Sequence, residues 1–185
     1  MTLCSDAVTV AGLRLDLLRP DSPESLIDED AFAKDEFLPY WAELWPAAIR
    51  LAEALPDVAG LRVVELGCGL GVTSLVAAAR GATVTAADWA VDAVRLLRRN
   101  AARNGVDLRA EVRDWREPWP ERFDLALAAD VLYERRNVEP LLERLEQLAP
   151  AALVGLAGRP YEDEFVRRAP AVTQVAPRVV RIDFP

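Results

Sequence analysis

The chain has 185 residues, 52% apolar and 28% charged, which suits a globular domain with a packed core and excludes a disordered segment. It contains no histidine, which excludes a Ser-His-Asp hydrolase and a His-ligated metal centre. A net charge of −8 and a pI of about 4.7 argue against a nucleic-acid partner, whose phosphates call for a basic footprint.

No apolar run reaches the ~18–20 residues of a membrane helix, and no basic-then-apolar leader opens the chain. A cytoplasmic protein with no membrane partner is the expectation. The two cysteines, Cys4 and Cys68, form no metal-type cluster, and a disulfide is not expected in a reducing compartment. The basic residues are almost all arginine, with Lys34 the one lysine.

Residues 8–18 alternate as one or two strands turning near Gly12. Residues 19–36 hold Pro20, Pro23 and seven acids, which reads as a solvated loop with a short helix or as a mobile lid beside a substrate. Pro46 suits the first turn of a helix, with Ile49, Ala52 and Leu55 on one face and Pro56 ending the run. From residue 61 the rhythm changes. Strands are expected over 61–66, 83–87, 108–112, 123–129 and 151–156. Helices are expected over 72–80, 91–104, 138–148 and 162–168. Residues 172–184 supply closing strands. Strands that alternate with helices, and that are apolar along their length, imply a doubly wound and mostly parallel sheet covered on both faces.

Glu65-Leu66-Gly67-Cys68-Gly69-Leu70-Gly71 joins the first of these α/β strands to a helix, where ligands of such sheets bind. The glycines are spaced G-x-G-x-G, and position 72 is Val, so the G-x-G-x-x-G dinucleotide fingerprint is incomplete. Glu65 would repel a pyrophosphate and suits a cationic ligand, so an NAD-dependent oxidoreductase is disfavoured. The turn alone also fits a tight βα connection. The next strand ends add to it. Asp88 can accept from two ribose hydroxyls. Asp114-Trp115 can read an adenine amine and stack on its ring. Ala129-Asp130 ends the fourth strand. Asp88 and Asp114 each also fit a helix N-cap.

The motif ELGCGLG, with Asp88, Asp114-Trp115 and Asp130-Val131-Leu132-Tyr133, resembles the seven-β-strand class I S-adenosylmethionine-dependent methyltransferases. The D-x-x-Y run at 130–133 and the Trp-containing run at 39–48 are similar to one branch, the lysine methyltransferase family 16 or nicotinamide N-methyltransferase-like enzymes. Within it, the run at 39–48 is most similar to enzymes modifying the electron-transfer flavoprotein β-subunit. The likeness covers roughly residues 37–157. It implies a Rossmann-like seven-stranded sheet, with an N-terminal extension over 1–40, a cofactor-binding core over 41–157 and closing elements over 158–185. Residues after the fifth strand are few, so trimmed closing elements are expected, as is a monomer.

The resemblance also implies roles. Glu65, Gly67, Gly69 and Gly71 would cradle the methionine part of S-adenosylmethionine, and Asp88 with Trp89 the ribose. Asp114 and Trp115 would hold the adenine. Trp45 would lie over the cofactor from the preceding helix, and Ala129 would touch it from the fourth strand. Asp130 and Tyr133 would face the methyl acceptor. The acceptor implied is a lysine of a protein substrate. A small amine, and a module that binds the cofactor without catalysis, are the other readings. S-adenosylhomocysteine is the product expected of transfer.

The electrophile arrives activated, so alignment rather than a strong base carries the reaction. Asp130 would orient the amine. Trp41, Trp45 and Tyr133 offer ring faces that favour cations by ~0.5–2 kcal/mol. Trp41 and Trp45 are four apart and share a face if the helix starts early, which also fits plain core packing. Tyr133 can equally pack under the next helix. Cys68 is expected to fill space and not to act as a nucleophile.

Overall fold

The structure is a computed structural model that describes residues 1–22, 26 and 40–185. The expected loop or lid at 21–36 falls almost wholly outside these residues, as does Pro39.

Alternating sequence builds an antiparallel hairpin from β1 (Leu3–Val10) and β2 (Leu13–Pro20). Ala11 and Gly12 turn it, both at positive φ. The strands extend further at each end than the expected 8–18. After a 3-10 turn at Tyr40–Ala42, α1 (Pro46–Glu53) opens on its proline. Of the expected face, Ala52 is buried in α1, Leu55 is buried just past its end and Ile49 packs half-buried on the same core, while Ala47 and Leu51 add to the buried side. Trp41 and Trp45 do not share a helix. Trp45 is the extended residue that caps α1.

The α/β part then runs β3 (Arg62–Leu66), α2 (Val72–Ala79), β4 (Thr83–Asp88), α3 (Val91–Arg103), β5 (Arg109–Val112) and β6 (Leu125–Ala129). It continues as α4 (Val138–Leu148), β7 (Ala151–Gly155), α5 (Glu162–Arg168), β8 (Ala171–Ala176) and β9 (Val179–Asp183). The second sheet has seven strands in the order β5-β4-β3-β6-β7-β9-β8. The first five are parallel, and β9 and β8 close the edge antiparallel. The closing strands are therefore present and not trimmed. They need only five or six residues, because β9 pairs with β7 along Ala151–Gly155 and buries Val179, Val180 and Ile182 there.

Side-chain alternation along each strand divides the core into two layers. Val63, Val84, Leu127 and Leu153 point to the side covered by α1, α2 and α3, and the hairpin adds Val10, Leu15 and Leu17 to that layer. Val64, Leu66, Ala128 and Val154 point to the side covered by α4 and α5, against Leu141, Leu145 and Phe165.

Two asparagines of α3 dock the hairpin. The side-chain amide of Asn104 accepts from the Asp16 N–H at 2.8 Å and donates to its carbonyl at 3.0 Å. Asn100 does the same with Leu18, at 2.8 and 3.1 Å. Four helical residues rise about 6 Å and two strand residues about 6.6 Å, so the two pairs stay in step.

Candidate functional site

Sheet order reverses between β3 and β6, and ligands of open α/β sheets bind at that switch point outside the carboxyl ends. A cleft of about 660 Å³ lies there, within the range of small-molecule and cofactor sites. It is lined by Trp45, Glu65, Gly67, Gly69, Gly71, Asp88, Trp89, Trp115, Ala129, Asp130 and Tyr133, among others. Eleven of the twelve residues singled out in the sequence therefore meet.

Asp114 is the exception. Its carboxylate accepts from the Nε, Nη2 and backbone N–H of Arg116 at 2.6–3.0 Å, and it does not line the cleft. Burial alone would raise its pKa, but the Arg116 bonds outweigh this and hold the carboxyl below its ordinary value. The neighbouring guanidinium, two residues on, takes the place the sequence reading gave to an adenine amine.

The glycine turn is shaped by what surrounds it. A Cβ at Gly71 would lie 2.1 Å from Leu97 Cδ1, and the residue holds φ at +80°. A Cβ at Gly67 would meet Val131 Cγ1 at 2.8 Å. Neither site accepts a side chain, so bare backbone faces the cleft.

Two buried carboxylates pin this turn. Asp88 accepts the Gly69 N–H and the Ala90 N–H, each at 2.9 Å. It ties the turn to β4 and holds the residue before α3, whose N-cap is Ala90 with no side-chain cap bond, so the helix N-cap alternative does not hold for Asp88. Burial raises its pKa. Glu65 is 1% exposed and accepts the backbone N–H of Ser74 at 2.9 Å, together with a short bond from the Ser74 hydroxyl. Burial is the main cause that pushes its pKa up to about 7, the Asp88 charge adds, and bonds from Ser74 and Thr73 oppose. Near neutral pH it is half protonated, a state the sequence reading did not foresee. Cys68 is buried beside both acids, and desolvation raises its thiol pKa far above the ordinary value. It is a thiol, not a nucleophile.

The other end of the cleft is aromatic. The Tyr40 ring lies 5.3 Å from Tyr133 and 6.3 Å from Trp45, centroid to centroid. The Trp45 indole N–H donates to the Tyr40 carbonyl at 2.6 Å. Desolvation and the charges of Asp88 and Glu134 raise the Tyr133 pKa, so its phenol stays a donor at neutral pH. Asp130 has φ at +52°, a left-handed conformation rare outside glycine.

Two groups at this end were not found in the sequence. Tyr40 belongs to the Trp-containing run at 39–48, where no role was assigned to it. Arg159, on the loop after β7, binds Asp130 with both ends of its fork. The pair is 29 residues apart, and no local pattern signals it.

The model of a family described as lysine methyltransferase matches residues 40–165. A protein N-lysine methyltransferase of Danio rerio, METTL21A, is 35% identical over 128 residues, which cover 62% of this chain and 58% of that protein. The electron transfer flavoprotein beta subunit lysine methyltransferase of the same organism is 31% identical over 142 residues, covering 71% and 55%. The chain thus spans a little over half the length of these relatives. Among solved structures, a 16S rRNA methyltransferase of T. thermophilus, in complex with AdoMet and guanosine, superposes with a TM-score of 0.73. Identity to it is 18%, over 99% of this chain and 51% of that one, which is a likeness of fold.

Proposed function

The chain belongs to the lysine methyltransferase family, and from that membership we propose that it transfers a methyl group from S-adenosylmethionine to a lysine amine of a protein substrate. One observation carries this reading. The glycine turn, Asp88, and the Asp130–Tyr133 end with its aromatic walls lie along a single cleft on the switch-point edge of the sheet.

The residues present fit the cofactor. A turn that excludes Cβ atoms admits close backbone approach, and buried acids beside it suit a ligand with an ammonium and a sulfonium. Glu65, Gly67, Gly69 and Gly71 would hold the methionine part, and Asp88 with Trp89 the ribose. The adenine falls to Trp115 and not to Asp114, whose carboxylate Arg116 holds. Trp45 and Ala129 would wall the site. When bound, the cofactor supplies a methyl already activated on sulfur and leaves as S-adenosylhomocysteine.

The chain itself supplies alignment. A free lysine has a pKa near about 10.4 and must shed a proton before it attacks. Asp130 and the protonated Tyr133 stand where they would orient that amine. Tyr40, 38% exposed, and Trp89, 43% exposed, leave the rim open to solvent, which favours a protein acceptor over an enclosed small amine. Among the described residues no helix is long and apolar enough to cross a membrane. Cys4 and Cys68 are both free.

The test is transfer of a tritiated methyl from S-adenosylmethionine into a cell lysate, resolved on a gel. A discrete labelled band whose peptide mass maps the methyl to lysine is expected, and it should vanish with Asp130→Ala while cofactor binding persists. Label confined to the small-molecule fraction would replace the protein acceptor with a metabolite.

A further inference from the structure

The acid at the acceptor end of the cleft is paired with a guanidinium of the chain itself. Arg159 Nε and Nη2 donate to the two oxygens of Asp130 at 2.8 and 3.0 Å. The same guanidinium lies over the Trp45 ring, 5.5 Å from its centroid. The Asp130 side chain is only 3% exposed beneath it. The supporting loop is braced. The Glu162 carboxylate accepts the Ala157 and Gly158 amides at 2.6 and 2.8 Å, and Arg50 donates to the Leu156 carbonyl at 3.0 Å. Asp130 carries this pair on a left-handed backbone, with φ at +52°.

A bare carboxylate beside a lysine ammonium would stabilise the protonated form and so oppose attack. A guanidinium that takes up the carboxylate's charge, and itself stands near the acceptor, works in the opposite direction. We propose that Arg159 is a positioning residue of the acceptor site, neutralising and fixing Asp130 so that the lysine side chain is received as its neutral amine. This rests on the reading of the cleft as an amine methyltransferase site. In the reaction the ammonium gives its proton to water, and the amine lone pair then forms the nitrogen–carbon bond. The carbon–sulfur bond breaks with its electron pair on sulfur, and the product leaves as a methylammonium.

The other charges that line or face the acceptor end are of both signs but mostly acidic, Glu43, Asp88 and Glu134 against Arg116 and Arg136. Arg159 faces Asp130, Glu162 and the Tyr40 phenol. Glu162 is already committed to two amides. Tyr133 faces Asp88, Glu134 and Arg116. Loss of Arg159 therefore leaves an acidic surplus beside the amine.

The experiment follows methyl transfer to the purified protein of the labelled band from about pH 6 to about pH 10, for wild type, Arg159→Gln and Arg159→Lys, with cofactor affinity measured by calorimetry. Arg159→Gln is expected to keep its cofactor affinity. Its pH–rate profile should move up by about one unit or more, so that activity lost at neutral pH returns at high pH. Arg159→Lys keeps the charge without the fork, and is expected to hold the wild-type profile at a reduced rate. A loss uniform across pH in both variants is what bracing alone would give, and it overturns the proposal. If Arg159→Gln does not fold, Arg159→Met, which keeps the stem over Trp45 without the charge, takes its place, and an unshifted profile there overturns the proposal. Wild-type protein that transfers to no protein at any pH overturns the functional reading itself, and the proposal with it.

Discussion

Replacing Glu65 with Gln isolates the cost of a buried acid at the cofactor turn. The carboxyl is raised from an ordinary 4.5 to about 7, chiefly by burial. At ~1.4 kcal/mol per pH unit, that difference corresponds to about 3 kcal/mol. In the unfolded chain Glu65 loses its proton near 4.5, and in the fold it keeps it to about 7. The folded state binds more protons in that window, so stability falls as pH rises through it and levels off above. Glutamine matches the protonated acid in shape, still accepts from the Ser74 N–H and hydroxyl, and cannot ionise. Urea unfolding of both proteins across pH should show near-equal stability around pH 4–5, and an advantage of about 3 kcal/mol for Glu65→Gln around pH 8. Parallel pH curves would refute the reasoning. A cationic ligand beside Glu65 would draw it to the ionised form, so cofactor binding near pH 6–7 should release a proton. Calorimetry in buffers of different ionisation heat should detect that proton in wild type and not in the variant.

Asp88→Ala should weaken S-adenosylmethionine binding by about tenfold or more, an energy of ~1.4 kcal/mol, and should lower the thermal midpoint because the Gly69 and Ala90 amides lose their acceptor. Unchanged affinity by calorimetry would remove Asp88 from the site. Gly71→Ala should destabilise by about 3 kcal/mol or more, since its Cβ would strike Leu97 in a left-handed backbone. Gly105→Ala, at φ +65° with nothing near its Cβ, should cost only about 1 kcal/mol. Equal denaturation midpoints for the two variants would contradict the packing assigned to Leu97.

Much of the fold was legible because its signals are local. Period-two runs, a proline at residue 46, and the glycine turn each act on residues a few places apart, and the bounds of α4 and α5 are those expected from sequence. The same holds for the strand-end residues, since a strand that enters the core in register must expose its carboxyl end at the sheet's edge. The tertiary structure decided what those residues touch. Only the sheet order β3-β6-β7 brings the loop of Arg159 across to Asp130, and only the packing of α3 on β2 sets Asn100 and Asn104 against the hairpin. Glu65 was legible as an acid beside the turn, but its half-protonated state comes from desolvation between β3 and α2. Asp114 was legible as a strand-end acid, yet its direction was settled by a guanidinium two residues on. Backbone periodicity is written in near neighbours along the chain. The charge state and partner of a buried group depend on everything that excludes water from it, most of which arrives from distant sequence.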